Sequence, residues 1–162
     1  MNKLTAIVLT SLIGMTSAYA EEVSATIYST DDNKNAIGEV VFTESPYGLL
    51  ITPKLSKLPA GLHGFHLHQH PDCGDHGMEA GGHFDPAKTN THQGPYGKGH
   101  LGDLPVLVVS ADGSATTPTL APRIKISDLK GLTVMIHADG DNYSDTPALG
   151  GGGARIACGV VK

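Results

Sequence analysis

The chain has 162 residues, with eleven Lys plus Arg against sixteen Asp plus Glu and a formal net charge of −5 with neutral histidines. Without a basic excess it lacks the field that holds nucleic acid or an anionic membrane surface, so neither is an expected partner. Any anionic substrate must be drawn in by local positive charge.

Residues 1–20, MNKLTAIVLTSLIGMTSAYA, combine Lys3, a short apolar run from Leu4 to Met15, and Ala18-Tyr19-Ala20. These are the charged start, greasy middle and small-x-small cleavage site of a secretory signal peptide. The run falls short of the roughly 20 apolar residues a spanning helix needs, so membrane insertion is not expected. The prediction is export and one mature domain over 21–162, within the commonest domain size range. That part carries ten basic and sixteen acidic side chains, 10 − 16 = −6.

The mature part then runs in short period-two segments: 23–30 (VSATIYST), 36–44 (AIGEVVFTE) and 47–53 (YGLLITP). After them comes 61–70, GLHGFHLHQH, with four histidines in ten residues. Residues two apart on a strand share a face. Phe65 and Leu67 therefore point to the core, and His66 and His68 point outward beneath a loop as a pair able to hold one ion. Residues 69–103 are long and rich in glycine and histidine, and a loop of that length in a compact domain is usually functional or disordered. In its part GGHFDPAKTNTHQGPYGKGHLGD, His83, His92 and His100 are followed by Asp103. Three imidazoles and a carboxylate form a full tetrahedral set that suits structural zinc.

Further strands are predicted over 104–113, 131–140 and 154–161, with a helical turn near ISDLKG and no amphipathic helix of useful length. His137 closes TVMIH at the mouth of a second loop, 138–153, ADGDNYSDTPALGGGG. Imidazole-rich sets with an open approach suit copper. The glycine run has no Gly-Lys-Ser/Thr and no helix after it, so a tight or flexible turn explains it better than a phosphate cradle. Short strands separated by turn signals read as an all-β sandwich or flattened barrel. Cys73 and Cys158 in an oxidising compartment most simply form one disulfide; two buried thiols or a metal-thiolate pair are the alternatives. A link across 85 residues would stabilise the fold by about 4 kcal/mol on the chain-entropy account.

The motifs GFHLH, AGGHFDP, GHLGDLP, MIHADGDN and GGGGARIACGV occur in that order across the mature length. Together they resemble the bacterial, exported, periplasmic Cu,Zn superoxide dismutases. The resemblance implies a Greek-key β-sandwich that cycles Cu(II)/Cu(I) to convert superoxide anion to dioxygen and hydrogen peroxide, with Zn(II) structural. It implies copper ligation by His66, His68, His83 and His137, and zinc ligation by His83, His92, His100 and Asp103, with His83 a bridging imidazolate and proton carrier. It makes Asp141 the carboxylate joining one ligand of each metal, Cys73–Cys158 the disulfide, and Arg155 the pocket guanidinium. His63 becomes a backbone brace and not a ligand. The segment NYSDTPALGGGG lacks the lysines found there in animal relatives, leaving Lys54, Lys57 or Lys98 as candidates for steering. His70 and His76 read as solvated loop histidines. A homodimer is one of the family's arrangements, and an exported copper or zinc store without turnover is the competing reading.

Overall fold

A computed structural model of the chain describes residues 21–32 and 35–162. The expected signal peptide lies outside the described residues.

The first three period-two segments form an antiparallel meander, β1 (Glu22–Ser29), β2 (Ala36–Ser45) and β3 (Gly48–Leu55). Alternation buries Val40, Phe42, Leu49 and Ile51 on one face, while the Tyr47–Gly48 corner turns in water. Next come β4 (Gly61–His63), β5 (Phe65–His68), β6 (Leu107–Val109), β7 (Thr119–Ala121), β8 (Thr133–His137) and β9 (Arg155–Val160). Among the described residues one sheet of seven strands runs β5-β8-β9-β1-β2-β3-β7, and β4 pairs with β6 in a second. The sheets close over a core that includes Phe42, Phe65, Leu67, Leu104, Ile124, Val134 and Ile136. This is the expected all-β architecture, and no helix among the described residues is long and apolar enough to cross a membrane.

Three details depart from the sequence reading. The 104–113 segment contracts to Leu107–Val109: Pro105 has no amide to donate, and Ser110–Ser114 folds into a turn closed by the Ser110 amide on the Ser114 carbonyl at 2.8 Å. Strand β7 was not anticipated, because TLA is too short to carry a period. The helical turn expected near ISDLKG is present as the 3₁₀ turn Ile126–Asp128, but it does not stand alone: the two long loops contain two more, Met78–Ala80 and Ala148–Gly151.

The element that builds the site is the β4–β5 ribbon. The chain changes sheets at Gly64, whose amide donates to the Asp139 carbonyl at 2.7 Å and whose carbonyl accepts from the His137 amide at 2.9 Å. A Cβ at Gly64 would crowd both His66 and His137. Beyond it β5 pairs with β8 on one edge, and on the other the two ends of the long loop dock: Leu67 donates to Gly102, and Phe84 donates to Leu67, each at 2.8 Å. Those bonds carry His83 and Asp103 back beside the histidines of the strand.

Candidate metal centre

Strand β5 buries Phe65 and Leu67 in the core and turns His66 and His68 to the opposite face, as alternation requires. That face is not solvated: both imidazoles are 0% exposed, because the loop roofs it completely. His137 arrives from the end of β8. His83, His92, His100 and Asp103 all come from the long loop, and all are buried.

Two sets of donor atoms converge. His66, His68, His83 and His137 form one and His83, His92, His100 and Asp103 the other, each with its donor atoms within 4.8 Å of one another. His83 belongs to both. Six buried ring nitrogens have no hydrogen-bond partner outside the two sets: Nδ1 of His66, His92 and His100, and Nε2 of His68, His83 and His137; among the described residues the only near neighbour of His92 and His100 Nδ1 is Asp103 of their own set, at 3.0 and 3.4 Å. Orphaned polar atoms at this depth are costly, and six converging on two points are accounted for by bound cations. The donor chemistry also fits. Four imidazoles suit copper, and three with a carboxylate suit zinc.

The opposite ring nitrogens are tethered. His66 Nε2 and His92 Nε2 lie 2.7 and 2.8 Å from the two oxygens of Asp141, so one carboxylate orients a member of each set. His68 Nδ1 donates to the Gly81 carbonyl at 2.8 Å, and His137 Nδ1 donates to Gly153 at 3.2 Å. His83 Nδ1 lies 2.9 Å from Asp103 Oδ1. Such tethers fix tautomer and ring orientation. His63 stands under the site with its two nitrogens 2.7 Å from the His137 carbonyl and 2.8 Å from that of Pro59, bracing backbone without joining either set.

Burial pushes the imidazoles of His66, His68 and His137 down, to about 3, about 2 and about 4, and lowers His83 as well. His92 is buried too, but the carboxylates of Asp103 and Asp141, 3.0 and 2.8 Å from its two ring nitrogens and ready to accept from them, override that and raise it to about 9. Burial alone would raise both aspartates; their bonds to the histidines hold them well below the usual carboxylate range instead.

Arg155, at the start of β9, donates from Nη1 to the Gly77 carbonyl at 2.6 Å and from Nη2 to Gly81 at 2.7 Å. It lines a cleft with His137, Met78, Leu149 and the backbone of Gly152 and Gly153. None of Lys54, Lys57 or Lys98 lines that cleft, and Lys54 is held by Glu39 at 2.9 Å. The cation in the cleft is Arg155. Cys73 and Cys158 are joined, tying the roofing loop to β9. His70 and His76 are exposed and join neither set. Sequence reasoning missed Asp145, which accepts the His92 amide at 2.9 Å, and Tyr143, whose hydroxyl accepts the Val106 amide at 2.9 Å. Neither has a motif; only the close approach of the two loops gives them partners.

The family described as copper/zinc superoxide dismutase (SODC) matches residues 36–161. The chain is 59% identical over 162 residues to the superoxide dismutase [Cu-Zn] of Legionella pneumophila, covering 100% of both. It is 60% identical over 138 residues to superoxide dismutase [Cu-Zn] 1 of Salmonella typhimurium, covering 78% of this chain and 77% of that one. Among solved structures, the Cu/Zn superoxide dismutase from Brucella abortus superposes with a TM-score of 0.83 at 42% identity, covering 88% of this chain and 100% of the other. The monomeric copper, zinc superoxide dismutase from Salmonella enterica gives 0.73 at 47%, covering 89% and 100%.

Proposed function

The chain belongs to the copper/zinc superoxide dismutase family, oxidoreductases that turn two superoxide anions and two protons into dioxygen and hydrogen peroxide with copper and zinc, and from that premise we propose how its residues divide the work. His66, His68, His83 and His137 hold copper. His83, His92, His100 and Asp103 hold zinc. The observation that carries this division is the pair of donor sets meeting at His83, with every orphaned ring nitrogen belonging to one of them.

When bound, copper supplies one-electron chemistry in both directions and zinc supplies a fixed charge with no redox change. The protein does the rest. His83 gives up both ring protons to serve the two sets, and its Nε2 is the atom that takes up a proton in one half of the cycle and returns it to the departing product. Its backbone, bridged to that of His68 and with its carbonyl accepting from Gln69 Nε2 at 3.2 Å, keeps the ring in place while Nε2 changes state. Arg155 is a guanidinium with five donors, of which two are spent on carbonyls, so it retains N–H groups for a small anion in the cleft beside His137. Because its backbone partners lie in the loop closed by the disulfide, the anion site is held by the same tie that roofs the histidines.

Residues 1–20 are the signal peptide, and the domain over 21–162 works in the periplasm; the disulfide supports an oxidising compartment. The mature protein forms a homodimer through the β4–β6 face. There Leu62 and Val108, 56% and 43% exposed, pair directly across the strands, an apolar pair that water disfavours. The decisive experiment uses protein recovered from the periplasm, with an N-terminus expected at Glu21. His137→Ala should lower copper content and cut superoxide removal at least about a hundredfold, with zinc retained, in keeping with the loss of one ligand. Full copper with undiminished removal would refute the assignment.

A further inference from the structure

The loop that carries the zinc ligands is held at one point by a residue outside the ligand set. Arg123 lies between β7 and the 3₁₀ turn Ile126–Asp128, with buried Ala121 and Ile124 anchoring the backbone on either side. Its guanidinium donates to four carbonyls of one seven-residue turn. Nε reaches Pro95 at 3.1 Å, Nη1 reaches Gly99 at 3.1 Å, and Nη2 reaches Gly94 at 3.4 Å and His100 at 2.5 Å. None of those four carbonyls accepts a backbone amide among the described residues, and no carboxylate there pairs with Arg123.

The turn needs such a partner. Residues 94–100, GPYGKGH, contain three glycines, and their own ties are few: the His100 amide on the Thr91 carbonyl at 2.9 Å and the Lys98 amide on Gln93 Oε1 at 3.1 Å. Glycine-rich backbone loses the most conformational freedom on ordering, so an undirected turn would sample many positions for the His100 ring. A planar fork of donors on a rigid base selects one.

We propose that Arg123 is a positioning residue for zinc: by gripping the 94–100 turn it sets His92, His100 and Asp103 around a common point before the ion arrives. This rests on the zinc assignment above. It implies that zinc binds to a largely preformed site, and that retention of zinc depends on Arg123 while the copper set does not, because His66, His68 and His137 stand on β5 and β8 and the backbone of His83 is bridged to β5 at His68, away from the 94–100 turn.

The test compares purified holoenzyme with R123K, R123Q and H100A. Zinc dissociation into a colorimetric chelator, copper content, and hydrogen exchange of the amides over 94–102 in the metal-free protein are measured. A lysine is a point charge with all its donors on one nitrogen and cannot span these carbonyls, so R123K should not rescue. Both Arg123 variants should release zinc about tenfold faster or more, the range expected for loss of an outer support. Copper should stay, and protection should be lost in the turn but kept in β1–β3. Zinc release within twofold of the parent would overturn the proposal, as would an equal loss of zinc, copper and sheet protection. If R123Q does not fold, R123K decides by the same criteria. If H100A leaves zinc release unchanged, the zinc assignment falls and this proposal with it. If H100A accelerates release and the Arg123 variants do not, only the role of Arg123 falls.

Discussion

A buried imidazole is a poor base unless its carboxylate partners outweigh the burial; one partner does not suffice for His66, whereas two do for His92. His66, His68 and His137 are pushed down to between about 2 and about 4 by burial, whereas His92, between Asp103 and Asp141, is raised to about 9. In the metal-free protein these act in opposite directions. Below pH 6.5 the unfolded chain protonates the depressed histidines, His83 among them, and the folded chain refuses, so their stabilisation, present above 6.5, is lost as pH falls towards 4. The stabilisation from His92 is complete below 6.5 and is lost as pH rises through 9. Each such proton is worth about 1.4 kcal/mol per pH unit at full slope, with four histidines on the acid side, His83 included, against one on the alkaline side. The metal-free protein should therefore be most stable near pH 6.5 and lose stability more steeply towards acid. Calorimetric Tm values from pH 4 to 9 check this, and a Tm that rises on acidification would contradict it.

At the scale of elements, the glycine run that reads from sequence as a flexible or tightly turning loop proves to be a packing requirement. Gly150 has φ +76°, and a Cβ there would overlap Asp141 Oδ1 and come within 2.8 Å of His92 Nε2. Gly150→Ala should thus push aside the carboxylate that joins the two sets. It should destabilise the metal-free protein by about 2 kcal/mol or more, from left-handed strain and a broken buried bond, and weaken both metals roughly tenfold. Gly131→Ala is the control: its φ is +81° but open space surrounds its Cβ, so it pays strain alone. Equal losses in the two variants, by calorimetry and chelator competition, would refute the account. The loop over 69–103 is likewise ordered by specific ties, at its ends by β5, across its glycine-rich turn by Arg123, and near Cys73 by the disulfide.

For the whole molecule, the disulfide spans 85 residues and joins the roof to the last strand, close to Gly77 and Gly81, the two backbone partners of Arg155. One covalent tie therefore supports both the cleft and the fold, by about 4 kcal/mol in the chain-entropy account. The β4–β6 face is the other global feature. If it is the dimer surface, Leu62→Asp should turn a dimer into a monomer in sedimentation velocity without changing metal content. A parent that sediments as a monomer at micromolar concentration would end that proposal.

What the sequence determined by itself was the chemistry and the alternation. Ligand types are dictated by the ions they suit, so His83, His92, His100 and Asp103 could be grouped from spacing in one loop, and Phe65 and Leu67 could be separated from His66 and His68 by the period of a strand. The short β7, the contraction of 104–113 and the complete roofing of the histidine face were not legible, because each depends on which strand or loop lies alongside. The place of Asp141 between His66 and His92, 75 and 49 residues away, was implied only by the resemblance of its motif; the tertiary structure alone decided that Arg123 grips a turn more than twenty residues away and that Gly150 makes room for a carboxylate. A local pattern records what a side chain can do, but convergence of distant segments is set by sheet order and loop closure, for which no short stretch of residues carries a signal.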